Sequence, residues 1–430
     1  MKLRLIIMNF LQFAVWGAYL TSMGSYLGPN GLGAHIGLFY SVQGLVSLFM
    51  PALMGIIADR WVPAQKLLGI CHAVSGAALV AAGFYGVSAG STPDFTILFT
   101  LYTIGVAFYM PTLALSNSVA YTALDTAGLD TVKNFPPIRV FGTVGFICSM
   151  WAVDLLGYQP TSLQFTMSGI IGLVLAVYSF SLPACPTSGT VKSQSMMEML
   201  GLQAFALFRQ KKMAIFFIFS FLLGASLQIT NGFANPFIAS FESIPEFATT
   251  FGVQHANILI SLSQVSETLC ILLVPFFLTR FGIKNVMLMS MFAWVLRFAL
   301  FGLGDPGQGV WLFVLSMIVY GMAFDFFNIS GSLYVDKEVD HSMRSSAQGL
   351  FMLMTNGFGA VIGTLTAQWI VNIYCSWSDV VVDAETKSLL IGDWTTVWYI
   401  FAAYSLVVAI AFALVFKYKH DRNSIGEIKH

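Results

Sequence analysis

Near-continuous apolar runs, each about twenty or more residues long, recur from Leu5 to Phe416. A helix rising about 1.5 Å per residue needs roughly that length to cross about 30 Å of hydrocarbon. A transmembrane barrel would instead show short segments of alternating character. Charged side chains make up only 9% of the 430 residues, against about 25% in soluble domains. The expected fold class is therefore an all-α, multi-pass membrane protein.

Breaks at Gly, Pro and charged residues divide the runs into about twelve spans, near 5–27, 35–58, 66–88, 95–122, 136–156, 162–182, 212–239, 256–279, 285–303, 309–335, 344–373 and 393–416. The opening MKLRLIIMNF has the basic start of a secretory signal. Its core carries Asn9, Gln12 and Trp16 and no small-x-small cleavage site follows, so it reads as a retained first span.

Lys and Arg set the orientation, because cytoplasmic loops retain them. Lys2, Arg4, Arg60, Lys66, Lys133, Lys192, Arg209, Lys211, Lys212, Arg280, Lys284, Lys337, Arg344 and the tail residues Lys417, Lys419, Arg422 and Lys429 all fall on one side. The opposite loops carry Asp94, Glu242, Glu246, Asp305, Asp379, Asp383, Glu385 and Asp393 against a single Lys387. Both termini are expected on the cytoplasmic side.

The longest interior cytoplasmic connection, 183–211, separates an N-terminal six-helix half (1–182) from a C-terminal one (212–416), leaving 417–430 as a tail. A weak repeat at an offset of 220 places Ser41 on Ser261, Met50 on Cys270 and Arg60 on Arg280. Two parallel six-helix halves with a substrate site between them near mid-membrane are one known transporter plan.

An ionised carboxylate at the centre of a span costs about 2.5 to 3.5 kcal/mol even on permissive scales. Glu267, in SLSQVSETL, and Asp325, in VYGMAFDFFNISGS, lie roughly 20 Å and 15 Å deep when counted from the nearest cytoplasmic ends at helical rise. Arg297 falls at a similar depth. The functional reading is that these charges bind substrate and a coupling ion. The structural reading is an ion pair that fixes helix packing, with Arg297 either neutralising a carboxylate or snorkelling toward Asp305.

Uncharged polar residues align with them. Gln228, Asn231 and Asn235 share a face of the seventh span, and Gln264 and Glu267 a face of the eighth. Arg139, Thr143 and Phe146 form a stripe on the fifth, and Tyr320, Phe324 and Phe327 on the tenth. For Asn9, Gln12, Gln43 and Asn235 the preferred role is hydrogen-bonded glue between helices. Amides supply donors and acceptors, carboxylates accept from hydroxyls, and aromatic faces stack on rings. That inventory suits a neutral polyol carrying a planar ring, and does not separate a nucleoside from a sugar.

Zero formal charge removes the electrostatic basis for binding nucleic acid. No phosphate-cradling G-x-x-x-x-G-K-[ST] motif is present for an ATP-driven pump. An intramembrane enzyme would need a nucleophile and base or a metal cluster within the bundle. His72, the one histidine clearly within a span, has no acidic or thiol partner at motif spacing. Cys71, Cys148, Cys185, Cys270 and Cys375 lack metal-ligand spacing and read as packing residues. No catalytic residues, metal or cofactor are expected.

The strings FPPIRVFGTVGF (Phe135 to Phe146), MAIFFIFSFLLGASLQITNGF (Met213 to Phe233), ISLSQVSETL (Ile260 to Leu269), FGIKNVM (Phe281 to Met287) and MIVYGMAFDFFNISGS (Met317 to Ser332) resemble the nucleoside:proton symporters of the major facilitator superfamily. MPALMGIIADRW (Met50 to Trp61) and FKYKH (Phe416 to His420) extend the resemblance over nearly the whole chain. The resemblance implies twelve helices and proton-coupled nucleoside uptake across a bacterial inner membrane by a monomer surrounded by lipid. By matching motifs it implies substrate contacts from Arg139, Thr143, Phe146, Gln228, Asn231, Gln264, Glu267, Tyr320 and Phe324. It also implies proton coupling at Asp325, with Glu267 as the other carboxylate available for that role. Gly55, Asp59 and Arg60 resemble the superfamily's signature loop, but the continuation Trp61-Val62-Pro63-Ala64 departs from the usual Gly and basic residues. A weakened inward-side gating latch is expected there, or ordinary topology charge. Within the same fold a proton-coupled sugar carrier is the alternative.

Overall fold

A computed structural model describes residues 1–185, 202–340, 343–382 and 385–418, so most of the 183–211 connection and all of the tail past residue 418 lie outside it. Nine helices among the described residues are long and apolar enough to cross a membrane, and Leu163–Ser179 is a shorter apolar one. Large side chains such as Val177, Leu272 and Val407 stand outward from these helices, as expected of surfaces that face acyl chains.

Several expected spans are interrupted. The first is α1 (Lys2–Gly17) followed, after turns, by α2 (Met23–Leu27), and the second is α3 (Ile36–Ser47) followed by α4 (Met50–Arg60). Then come α5 (Ala64–Ala89), α6 (Phe95–Thr126), α7 (Thr131–Leu155) and α8 (Leu163–Ser179). The seventh expected span is α9 (Lys211–Leu227) and α10 (Ile229–Ser240), which meet at Gln228. The eighth and ninth run together as α11 (Ala256–Leu303), 48 residues long, but Gly282 within it has φ +78° and ψ 167°. Only glycine enters that region without strain, and the helical path breaks there, between the two expected spans. After α12 (Val310–Glu338) come α13 (Arg344–Met352), a wide π-type turn over Leu353–Gly359, and α14 (Ala360–Tyr374). The final helix is α15 (Trp394–Val415).

The loop expected at 374–392 contains two paired strands, β1 (Cys375–Val382) and β2 (Glu385–Gly392). Helix periodicity cannot reveal them, although Val380, Val381 and Val382 are residues that favour strands. Beyond β2, Asp393 caps α15. It accepts from the Thr396 hydroxyl and from the Thr396 N–H at 3.0 Å, bonds that hold its carboxyl below the usual carboxylate range. The cap is therefore kept at neutral pH and lost only as acid protonates Asp393.

The chain gathers into two compact units, one within Met1–Leu200, Asn231–Pro236 and Lys387–Leu389, the other within Gly201–Thr230, Phe237–Thr386 and Leu390–His430. In the first, α1 lies against α7, and α5 against α6 and α8. A buried polar network ties three of these helices together. Gln12 donates to the Thr112 hydroxyl (2.7 Å), pairs through Oε1 with His72 Nε2 (2.7 Å), and offers its backbone carbonyl to the Tyr109 hydroxyl (2.8 Å). In the second unit, α11 packs on α12 and α15. Its core is largely aromatic, with Phe237 and Phe301 against Trp398 and Phe216 against Tyr334 and Phe351.

Candidate substrate and proton site

On α7, Arg139, Thr143 and Phe146 fall at i, i+4 and i+7, so one face of the first unit carries all three. The Arg139 guanidinium lies 3.8 Å from the centroid of the Phe13 ring on α1, which fixes the long side chain by a cation–π contact. Phe146 is 6% exposed and meets Trp16 edge to face, with centroids 6.3 Å apart. Trp16 is less buried than Phe146, packs on Tyr109, and donates its indole N–H to Gln43 Oε1 (3.0 Å). Trp16 and Gln12 belong with the sequence stripe on the first span, but spacing on one helix did not show that the indole backs Phe146.

The amides read as glue have partners across helices. Gln43 also donates to the Tyr102 hydroxyl (3.3 Å), and Asn235, which clusters with the first unit, donates to Gln159 Oε1 (2.7 Å) and accepts from Ser25. Asn9 instead turns back onto its own helix, donating to the Leu5 carbonyl (3.0 Å). Gln228 sits at the joint between α9 and α10, with Asn231 one turn on, and both are half-buried.

The second unit carries Gln264 and Glu267 on α11 and Tyr320, Phe324 and Asp325 on α12. The Tyr320 and Phe324 rings stack at 5.8 Å between centroids and 15° between planes. Glu267 and Asp325 lie within electrostatic reach of each other and of Tyr320. Asp325 is 4% exposed, on a stretch of α12 where its sequence neighbours Phe326 and Phe327 are also buried, and its Oδ2 has no hydrogen-bond partner among the described residues. The buried Oε1 of Gln264 is likewise unpartnered there. An amide oxygen and a carboxylate oxygen buried without a partner among the described residues are atoms that a ligand's donors and a proton would satisfy.

Arg297 is 1% exposed. Its Nη1 donates to the Ser316 carbonyl (2.8 Å) and to Ser263 Oγ (3.4 Å). No carboxylate among the described residues is in ion-pair contact with it, so both expected roles, partner to Asp325 and snorkelling toward Asp305, are corrected. Asp305 spends its carboxylate on the N–H groups of Gly307 (2.8 Å) and Gly309 (3.1 Å). The guanidinium instead lies 4.5 Å from the Tyr320 ring centroid and 5.3 Å from that of Phe301. Arg60 ends α4 and is exposed, while the Asp59 side chain lies outside the described ones.

The family model described as "Nucleoside H+ symporter" matches residues 1–421. The chain belongs to the nucleoside H+ symporter family. It is 49% identical to the nucleoside permease NupG of Escherichia coli (strain K12) over 429 residues, covering 99% of this chain and 98% of that protein. It is 48% identical to the xanthosine permease of the same organism over 427 residues, covering 98% and 97%. The crystal structure of the nucleoside transporter NupG superposes with a TM-score of 0.86 at 49% identity, covering 97% of this chain and 99% of that one. A transporter family and a set of long apolar helices together make the chain a multi-pass membrane transporter of the symporter type.

Proposed function

We propose that the chain imports nucleosides such as uridine and adenosine together with protons across a bacterial inner membrane, exposing a midplane site alternately to its two sides. The observation that carries the substrate class lies in the second unit, where α12 carries two stacked rings and Asp325, Glu267 on α11 is within electrostatic reach of Asp325, and Gln264 leaves a buried amide oxygen unpartnered among the described residues. The rings suit a base, and the amides and Glu267 suit its edge and the ribose hydroxyls. Arg139, Thr143 and Phe146 supply the contribution of the first unit, Gln228 and Asn231 add amides, and Asp325 carries the proton. Twelve spans in two six-helix halves (1–182 and 212–416), joined by a cytoplasmic 183–211 connection, place both termini inside. Asp59 and Arg60 form a weakened inward-side latch, and the working unit is a lipid-embedded monomer.

The test is pH-gradient-driven uptake of labelled uridine and adenosine into proteoliposomes, with ribose and lactose as competitors. Nucleosides should compete, and free sugars should compete poorly, because a missing partner leaves buried polar groups unpaired. Equal inhibition by sugars would make the protein a sugar carrier.

Gln228→Ala, Asn231→Ala and Gln264→Ala should each weaken uridine binding by about 1 to 3 kcal/mol in calorimetry, while proton movement persists at saturating substrate. Three variants with native affinity would show that the amide face is packing.

A further inference from the structure

Arg297 is a cation buried in the membrane-spanning part of the chain without a carboxylate in contact among the described residues, an arrangement that persists only where other groups compensate it. The compensation here is specific. One guanidinium nitrogen is held by the Ser316 carbonyl and Ser263 Oγ, and the Ser316 hydroxyl returns a bond to the Arg297 carbonyl at 2.9 Å. Those bonds tie Arg297 to α12 one turn before Tyr320, and to α11 at the residue before Gln264. The plane of charge then rests over the Tyr320 ring.

Tyr320 is thereby held from three directions. Arg297 covers its ring at 4.5 Å, Trp294 meets it at 5.9 Å with the planes at 89°, and Phe324 lies nearly parallel at 5.8 Å. A side chain so enclosed has one rotamer to offer, and a ligand that meets its remaining exposed part need not order it.

We infer that Arg297 is a positioning residue: the buried guanidinium, anchored to Ser316 and Ser263, fixes the Tyr320 side chain as a preformed contact for the nucleoside without itself touching substrate. The inference rests on the proposed reading of Tyr320 as a substrate contact. A residue that only stabilised the fold would change the amount of active protein. A positioning residue changes apparent affinity, and does so through the ring it positions.

A double-mutant cycle in the full chain separates these cases, measuring KM and Vmax for uridine uptake in proteoliposomes. Arg297→Met should raise KM about tenfold with Vmax per folded molecule within about twofold, and Tyr320→Leu should raise KM by a similar factor. The double variant should be no worse than about tenfold. Independent contributions would multiply to about a hundredfold, and that result overturns the inference. A native KM in Arg297→Met beside a raised KM in Tyr320→Leu also overturns it, leaving the substrate reading intact. A native KM in Tyr320→Leu overturns the substrate reading at Tyr320 and the inference with it. Should Arg297→Met not fold, Arg297→Lys takes its place in the cycle, since an ammonium keeps the charge and loses the planar fork. A KM raised about threefold in the native background and unchanged in the Tyr320→Leu background supports the inference. An unchanged KM, or an equal rise in both backgrounds, overturns it.

Discussion

Asp325→Asn protein, reconstituted with an imposed pH gradient and membrane potential, is expected to bind uridine with near-native affinity and to fail to concentrate it. Asparagine copies the shape and charge of a protonated aspartic acid but can neither release nor regain the proton. One elementary charge moving inward across 100 mV is worth about 2.3 kcal/mol, which supports roughly fifty-fold accumulation of a neutral nucleoside per proton. That factor should collapse to equilibration. The surroundings of Asp325 favour this outcome over simple misfolding. The Asp325 side chain is buried, one of its oxygens has no partner among the described residues, and Arg297 is engaged with Ser316, Ser263 and Tyr320. Neutralising Asp325 therefore orphans no cation among the described residues, whereas breaking a buried ion pair would cost about 3 to 5 kcal/mol. Accumulation ratios measured beside calorimetric affinity decide the matter. A well-folded Asp325→Asn protein that accumulates uridine fully would transfer the proton role to Glu267.

Much of this architecture is legible in the apolar runs, because a span must be long and nearly uncharged whatever it packs against. What the runs conceal is where a helix stops being regular. The joint at Gln228, the turns after Gly17 and the wide turn over Leu353–Gly359 contain no proline and no charge, so hydropathy passes through them unaltered. Conversely, Pro111, Pro136 and Pro137 lie inside helices without ending them. In the candidate site, periodicity placed Arg139 with Phe146 and Gln264 with Glu267, since each pair belongs to one helix. It left the partner of Arg297 open. A lone cation near two carboxylates invites an ion pair, and the aromatic faces that hold it instead come from residues 4 and 23 positions away, Phe301 and Tyr320, whose orientation depends on packing between α11 and the adjoining α12. The same limit applied to Trp16, whose contact with Phe146 crosses from α1 to α7.

That crossing is the site of the second large effect. A Cβ on Gly145 would fall well inside contact distance of the Phe10 carbonyl oxygen and 2.8 Å from its carbonyl carbon, and a Cβ on Gly17 would strike the Phe146 carbonyl oxygen in the same way. Both obstacles are backbone, which cannot rotate aside as a side chain can, so α1 and α7 touch only because each offers glycine where the other offers a carbonyl. Gly145→Leu must push the helices apart by about 1 Å or more, and overpacking of that kind costs about 1 to 3 kcal/mol, with losses of packing along the rest of the interface added to it. Because Arg139, Thr143 and Phe146 are on the displaced helix, and Phe13 and Trp16 on the other, uptake should fall with stability: the Arg139 to Phe13 and Phe146 to Trp16 contacts both span the widened gap. Gly349→Ala on α13, where a Cβ meets nothing within 4 Å, is the control and should melt at or slightly above the native temperature. Thermal unfolding in detergent and uridine uptake in liposomes report the two consequences separately. A Gly145→Leu protein with native melting temperature and native uptake would mean that α1 and α7 do not approach this closely in the working transporter, and would remove the support that this contact gives to Phe146.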